Sequence, residues 1–252
     1  MTGLTVAREG TITHLRLNRP DEGNALDLEL AGAFEEAVST ARSDGTRVIV
    51  LASDGPVFCG GGDVAAMSTA PDPAAYTFEL ASSLHRALVA LAESGLILVV
   101  AVQGAAAGAG FGLVLNADYV VASEKATFLT AYSALGVSPD GGTTHLLPRI
   151  VGHQRAAELA LAGRRLDAHT AREWGIVNDV VSPQELGQAA ASIAASIART
   201  PAAALTATKR LLATGWASGY EEHLAQEAES IARLMGTDES HALQSAFLTK
   251  RR

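Results

Sequence analysis

One pattern constrains this chain more than any other: a short apolar run, then a glycine-rich turn, then a helical stretch, and the pattern recurs. Val48-Ile49-Val50-Leu51 leads to Cys59-Gly60-Gly61-Gly62-Asp63, and the run from Leu96 to Val102 leads to the glycines between Gly104 and Gly112. Short uncharged runs bounded by turn residues read as buried strands. Helical spacing fills the intervals. Leu30, Phe34, Ala37, Val38 and Ala41 mark one helix face, and Leu80, Leu84, Leu88 and Leu91 mark another within 73–93. A helix is expected from about Ala109 to Leu115, and Tyr119-Val120-Val121 begins a third strand. Repeated strand, turn and helix predict an α/β core that binds its ligand at the turns.

The first segment fits the same scheme. Thr11 to Leu17 alternates polar and apolar side chains, Asn18-Arg19-Pro20-Asp21 ends it, and residues 4–8 are expected to pair with it as a hairpin. Beyond about residue 183 strand signals vanish, leaving helical stretches near 185–199, 202–214 and 219–235, with Pro201 placed to open the second. The expected organisation is an α/β core over 1–182 and a helical region over 183–252.

Composition removes several function classes. A chain of 252 residues with 48% apolar side chains buries one large domain plus an appendage. Its single cysteine excludes an internal disulfide and a cysteine metal cluster, which points to a reducing, cytoplasmic setting. With 19 basic residues against 27 acidic ones, a net charge of -8 argues against a nucleic-acid surface. No basic stretch followed by an apolar one opens the chain, so no secretory signal is expected. Residues 94–117 carry no charge, yet Gly95, Gln103, Gly104, Gly108, Gly110 and Gly112 interrupt them, and no membrane span is expected. The histidines include no close pair at metal-ligand spacing, and no metal is assigned.

The turns carry the chemistry. Glycine-rich turns expose backbone N–H groups with little side chain in the way, which suits an oxyanion; alternatively they serve tight strand-to-helix packing. Asp140, in Ser138-Pro139-Asp140-Gly141-Gly142, is a candidate acid-base group, or else a turn-forming or helix-capping aspartate. Asp63 reads as the cap of the following helix, and Cys59, with no paired base evident, as a small packing residue. Met67, Phe78, Leu84, Phe111 and Tyr132 are candidates for lining a ligand pocket or for the core.

Asn24-Ala25-Leu26, Phe58 to Asp63, Gly104 to Gly112 and Leu135 to Thr143, followed by Leu147-Pro148-Arg149, Gly152 and Ala171 to Val177, together resemble the enoyl-CoA hydratase/isomerase, or crotonase, superfamily. The resemblance runs from about residue 4 to the C-terminus. It implies a spiral of ββα units with a C-terminal helical trimerisation region, assembled as a homotrimer or a dimer of trimers. It implies an acyl-CoA thioester as substrate, with no separate cofactor. Backbone N–H groups at Gly62 and Ala109 would form the oxyanion hole. Coenzyme A would lie along Ala25, Leu26, Gly60 and Val64, with Lys250, Arg16 and Arg19 as candidate charge partners, and Met67, Phe111 and Tyr132 would line the acyl pocket.

This sequence also departs from the hydratase pattern. Gly112 and Tyr132 stand where that pattern carries glutamates, and neither replaces a carboxylate in water addition. The Ser-Pro-Asp-Gly-Gly turn resembles the isomerase-like branch, including enzymes of phenylacetate degradation. The expected activity is therefore an acyl-CoA isomerase that moves a 3-enoyl double bond to the 2-position, or rearranges a ring epoxide, with Asp140 as the single base. Hydration, thioester or ring hydrolysis, and noncatalytic acyl-CoA binding are the alternatives.

Overall fold

A computed structural model describes residues 3–249. The chain opens with a hairpin, β1 (Leu4–Glu9) and β2 (Ile12–Leu17), paired from Leu4↔Leu17 to Glu9↔Ile12, then α1 (Leu28–Ala41). Three turns of a spiral follow. The first comprises β3 (Val48–Ser53), β4 (Val57–Cys59), α2 (Val64–Thr69) and α3 (Pro73–Glu93). The second comprises β5 (Ile97–Val102), β6 (Ala105–Ala107) and α4 (Ala109–Leu115). The third comprises β7 (Tyr119–Ser123), β8 (Thr127–Leu129), α5 (Thr143–Val151) and α6 (His153–Ala162). After β9 (Leu166–Asp167), α7 (Ala168–Glu173) and β10 (Asp179–Val181), the chain ends in helices α8 (Leu186–Ala198), α9 (Ala202–Thr214), α10 (Tyr220–Met235) and α11 (Asp238–Thr249).

Each turn of the spiral places its first strand in one sheet and its second in another. The large sheet runs β1-β2-β3-β5-β7-β10, parallel after the opening hairpin; the small one runs β4-β6-β8-β9. The short strands β4 and β6 were expected as parts of glycine turns. Three residues are too few to show a period. They peel the chain from one sheet to the other and aim both turns at one place.

Burial explains the uninterrupted apolar runs. All six residues of β5 are buried, because both faces of the large sheet are covered. Leu15, Leu51, Leu98 and Phe34 belong to the main core on one side, while Val48, Val50, Val99 and Val121 meet Leu186, Ala190 and Ala194 of α8 on the other. Helix α9 is tied down by Lys209, whose Nζ donates to the Leu96 carbonyl and to Asp118 Oδ2, each at 2.7 Å. Helices α10 and α11 contribute no buried residue, and α11 lies beyond 219–235, the last helical stretch expected. The uncharged stretch 94–117 becomes a buried strand, a short partly buried one and a seven-residue helix; no helix among the described residues is long and apolar enough to cross a membrane.

Candidate active site

The site begins with Asn24. Its buried amide donates to the Asp54 and Val57 carbonyls at 2.8 and 2.7 Å and accepts from Arg19 N at 2.8 Å. This holds the chain for a single parallel bridge, in which Leu26 N donates to Gly61 O at 2.7 Å and Asp63 N donates to Leu26 O at 2.8 Å. A bridge of this form uses the peptide groups on either side of Gly62. The Gly62 N–H is left facing away, with no hydrogen-bond partner among the described residues. Asp63 then caps α2, accepting from Ala66 N at 3.0 Å. That bond, with the Arg19 guanidinium beside it, holds the Asp63 carboxyl below its ordinary range.

The second turn meets the first at Gly61. Its φ of +103° is a conformation that glycine tolerates, and a β-carbon there would lie 3.1 Å from Ala107 O and 3.4 Å from Ala109 N. Ala109 is the first residue of α4, so its N–H has no carbonyl four residues back to bond. Gly62 and Ala109 therefore present free N–H groups from adjacent turns.

Asp140 lies across the same cavity. Its Oδ1 accepts a 2.5 Å hydrogen bond from the Tyr132 hydroxyl, and its Oδ2 lies 3.9 Å from His85 Nε2. Burial, reinforced by the Asp140 charge, raises the Tyr132 pKa far above the phenol range, so the hydroxyl remains a donor. The Gly141 N–H donates to His85 Nε2 at 3.1 Å. The helix-capping role for the Asp140 side chain does not occur: Gly142 is the N-cap of α5, with no side-chain cap.

The cavity measures about 770 Å³. Leu26, Gly60, Gly62, Val64, Met67 and Ala109 are in its wall, as are Tyr132, Asp140, Phe78 and Leu84. Phe111, expected in the acyl pocket, is not. It is fully buried against Phe128, ring centroids 5.9 Å apart, on the core side of α4. Ala25 lies outside the wall and its carbonyl accepts from Arg19 Nη1 at 2.6 Å. Arg19 is also paired with Asp27 and Asp63 at 2.9 and 3.1 Å, and Arg16 with Asp54 at 3.0 Å, so both expected charge partners are engaged within the protein. Lys250 lies outside the described residues. Burial pushes the Cys59 thiol up to about 12, which keeps it neutral and inert. Among the described residues no group of histidine, cysteine and carboxylate side chains is arranged to hold a metal.

Comparison with known proteins decides the family, because the model for enoyl-CoA hydratase/isomerase matches residues 7–252. The chain belongs to the enoyl-CoA hydratase/isomerase family. It is 34% identical to the 1,2-epoxyphenylacetyl-CoA isomerase of Escherichia coli K12, over 98% of this chain and 95% of that one. It is 33% identical to the 2,3-dehydroadipyl-CoA hydratase of the same organism, over 100% and 97% of the two chains. The crystal structure of an enoyl-CoA hydratase from Mycobacterium smegmatis superposes with a TM-score of 0.93 at 29% identity, covering 99% of this chain and 97% of that one. Family and fold are thereby fixed as a crotonase-type acyl-CoA enzyme. The relatives carry both isomerase and hydratase names, so the choice of reaction rests on the site.

His85 is the residue that sequence reading missed. It faces Asp140 from α3, 56 residues before the Gly141 amide that it receives.

Proposed function

We propose that this enzyme isomerises a 3-enoyl-CoA to its 2-enoyl isomer, with Asp140 as the sole proton carrier. One observation carries the reading: Asp140 is the only carboxylate among the described residues of the cavity wall, and the wall also holds Gly62 and Ala109 with their free N–H groups. Asp140 takes a proton from the α-carbon, and the C–H electrons pass to the thioester oxygen. The N–H groups of Gly62 and Ala109 stabilise that oxygen more as an enolate than as a carbonyl. The same carboxyl returns the proton to the γ-carbon, leaving the double bond at the 2-position. Leu26, Gly60 and Val64 line the approach of coenzyme A, and the relative named as an isomerase of an epoxyphenylacetyl-CoA supports a ring-epoxide substrate as a variant of the same chemistry.

The test is product analysis in heavy water. A six-carbon 3-enoyl-CoA should give the 2-enoyl ester with no solvent oxygen, its γ-carbon keeping the hydrogen taken from the α-carbon to the extent that return by Asp140 outruns exchange with solvent. Its ω-carboxylated analogue should react at least about 100-fold more slowly, since among the described residues the wall holds no cation to pair a second carboxylate beside Asp140. The His85 imidazole 3.9 Å from Asp140 favours one second reading, hydration or hydrolysis. Incorporation of labelled water oxygen without double-bond migration would establish it and remove the isomerase. Tight binding with neither exchange nor turnover would make the protein an acyl-CoA binder.

The assembly follows from the same reading. Leu212, Trp216, Tyr220 and Ile231, each at least 64% exposed on the C-terminal helical region, form the contact surface of a homotrimer or a dimer of trimers. Sedimentation equilibrium should return three or six times the chain mass; a monomer at micromolar concentration would count against it.

A further inference from the structure

We propose that Asn116 is a positioning residue that sets where Asp140 stands relative to the oxyanion donors; the inference rests on the isomerase reading above. Asn116 follows α4 directly, and its Nδ2 donates to two carbonyls, Gly112 O at 2.8 Å and Gly141 O at 2.9 Å. An amide nitrogen carries two hydrogens, so both are used. One bond stays within the helix. The other crosses to the turn that carries Asp140.

The residue after Asp140 is held by both of its main-chain polar groups. Gly141 N–H bonds His85 on one side and Gly141 O bonds Asn116 on the other. Between them the Gly141 backbone rests on Gly112: a β-carbon on Gly112 would lie 3.1 Å from Gly141 O and 3.3 Å from Gly141 Cα. Gly112 thus leaves the space into which the turn settles, and Asn116 fastens it there. Since Ala109 begins the same seven-residue helix, α4 becomes the rigid member that relates the carboxylate to one oxyanion donor. A glutamate at position 112 would need the Gly141 backbone to move before its carboxyl were placed.

Serine at position 116 separates the two bonds. A serine hydroxyl in a helix bonds the carbonyl four residues back, here Gly112, but is too short to reach Gly141. Asn116→Ser should therefore keep the helix end and release the turn. The expected result is kcat on a 3-enoyl-CoA lower by about 10- to 100-fold, with the Kd for a saturated acyl-CoA within about threefold and the thermal midpoint close to the parent. In an Asp140→Asn background the same substitution should cause no further loss, because a residue that acts through Asp140 has nothing left to position. Asn116→Asp, similar in shape without the donors, provides a second variant for the same measurements if the serine protein is poorly soluble.

A parental kcat for both variants would overturn the proposal, and so would equal losses in the presence and absence of Asp140. Matching losses in kcat and in Kd would reduce Asn116 to a structural residue. Failure of the isomerase reading looks different: Asp140→Asn alone would then retain the parental rate. An inactive Asp140→Asn beside a fully active Asn116→Ser would remove only the positioning role.

Discussion

Asp140→Asn is expected to lower kcat on a 3-enoyl-CoA by about 10²- to 10⁴-fold, the contribution of a positioned acid-base group. Binding of a saturated acyl-CoA should change by less than about threefold, because the loss is confined to the transition state. Asparagine is the informative substitution because so little else depends on the charge. The amide oxygen can accept the Tyr132 hydrogen bond in place of Oδ1. The turn itself is held through main-chain groups: Asp140 O accepts from Thr143 N at 3.0 Å, and Gly141 bonds His85 and Asn116. Folding should therefore survive while the proton acceptor is lost. Loss of α-proton exchange with solvent, measured on the saturated ester, should run parallel to the loss of turnover. An asparagine variant with parental exchange and turnover would take Asp140 out of the mechanism and direct attention to His85.

Sequence and structure agree where the determinants are local. Helix α1, helix α3 and the buried strands β3 and β5 lie where apolar spacing placed them, because each helix buries one face in the main core and each strand buries both, one in the main core and one under α8. Asp63 was legible as a cap since its partner is three residues away. Phe111 was not legible. All seven residues of α4 are buried, so no polar face distinguishes its core side from its cavity side. Arg19 misled for a different reason: a long guanidinium reaches Asp27, Asp63 and the Ala25 carbonyl within its own neighbourhood, and nothing in the spacing says whether it bonds those or a ligand. The Tyr132, Asp140 and His85 cluster joins two distant segments, the stretch that carries Tyr132 and Asp140 and helix α3. The carboxylate could be found from its turn motif, whereas the imidazole facing it could be found only after the spiral had brought α3 alongside.

Gly110→Ala should cost more than any substitution of an exposed residue, and the reason is distance alone. A β-carbon on Gly110 would stand 2.3 Å from Cys59 O, 2.7 Å from Cys59 Cβ and 2.9 Å from Cys59 C. Two of those atoms are backbone, so no rotamer change relieves the overlap. Cys59 is fully buried, and β4 cannot retreat without moving the core behind it. Helix α4 must shift instead. Gly110 adjoins Ala109, and Cys59 leads directly into the Gly60 to Gly62 turn, so the displacement acts on both N–H groups at once. Removing one oxyanion donor costs about 10²- to 10³-fold in kcat, which sets the lower end of what is expected here. Overpacking adds a loss of about 1–3 kcal/mol in stability. The matching control is Gly187→Ala in α8, where a β-carbon meets nothing within 4 Å. That change should leave kcat unaltered and raise stability by about 0.4–1 kcal/mol, through lower conformational entropy of the unfolded chain. The comparison is read by steady-state kinetics and thermal unfolding on the two proteins. Should Gly110→Ala remain folded and turn over at the parental rate, the amides at these turns do not hold the thioester oxygen, and their close packing serves the fold alone.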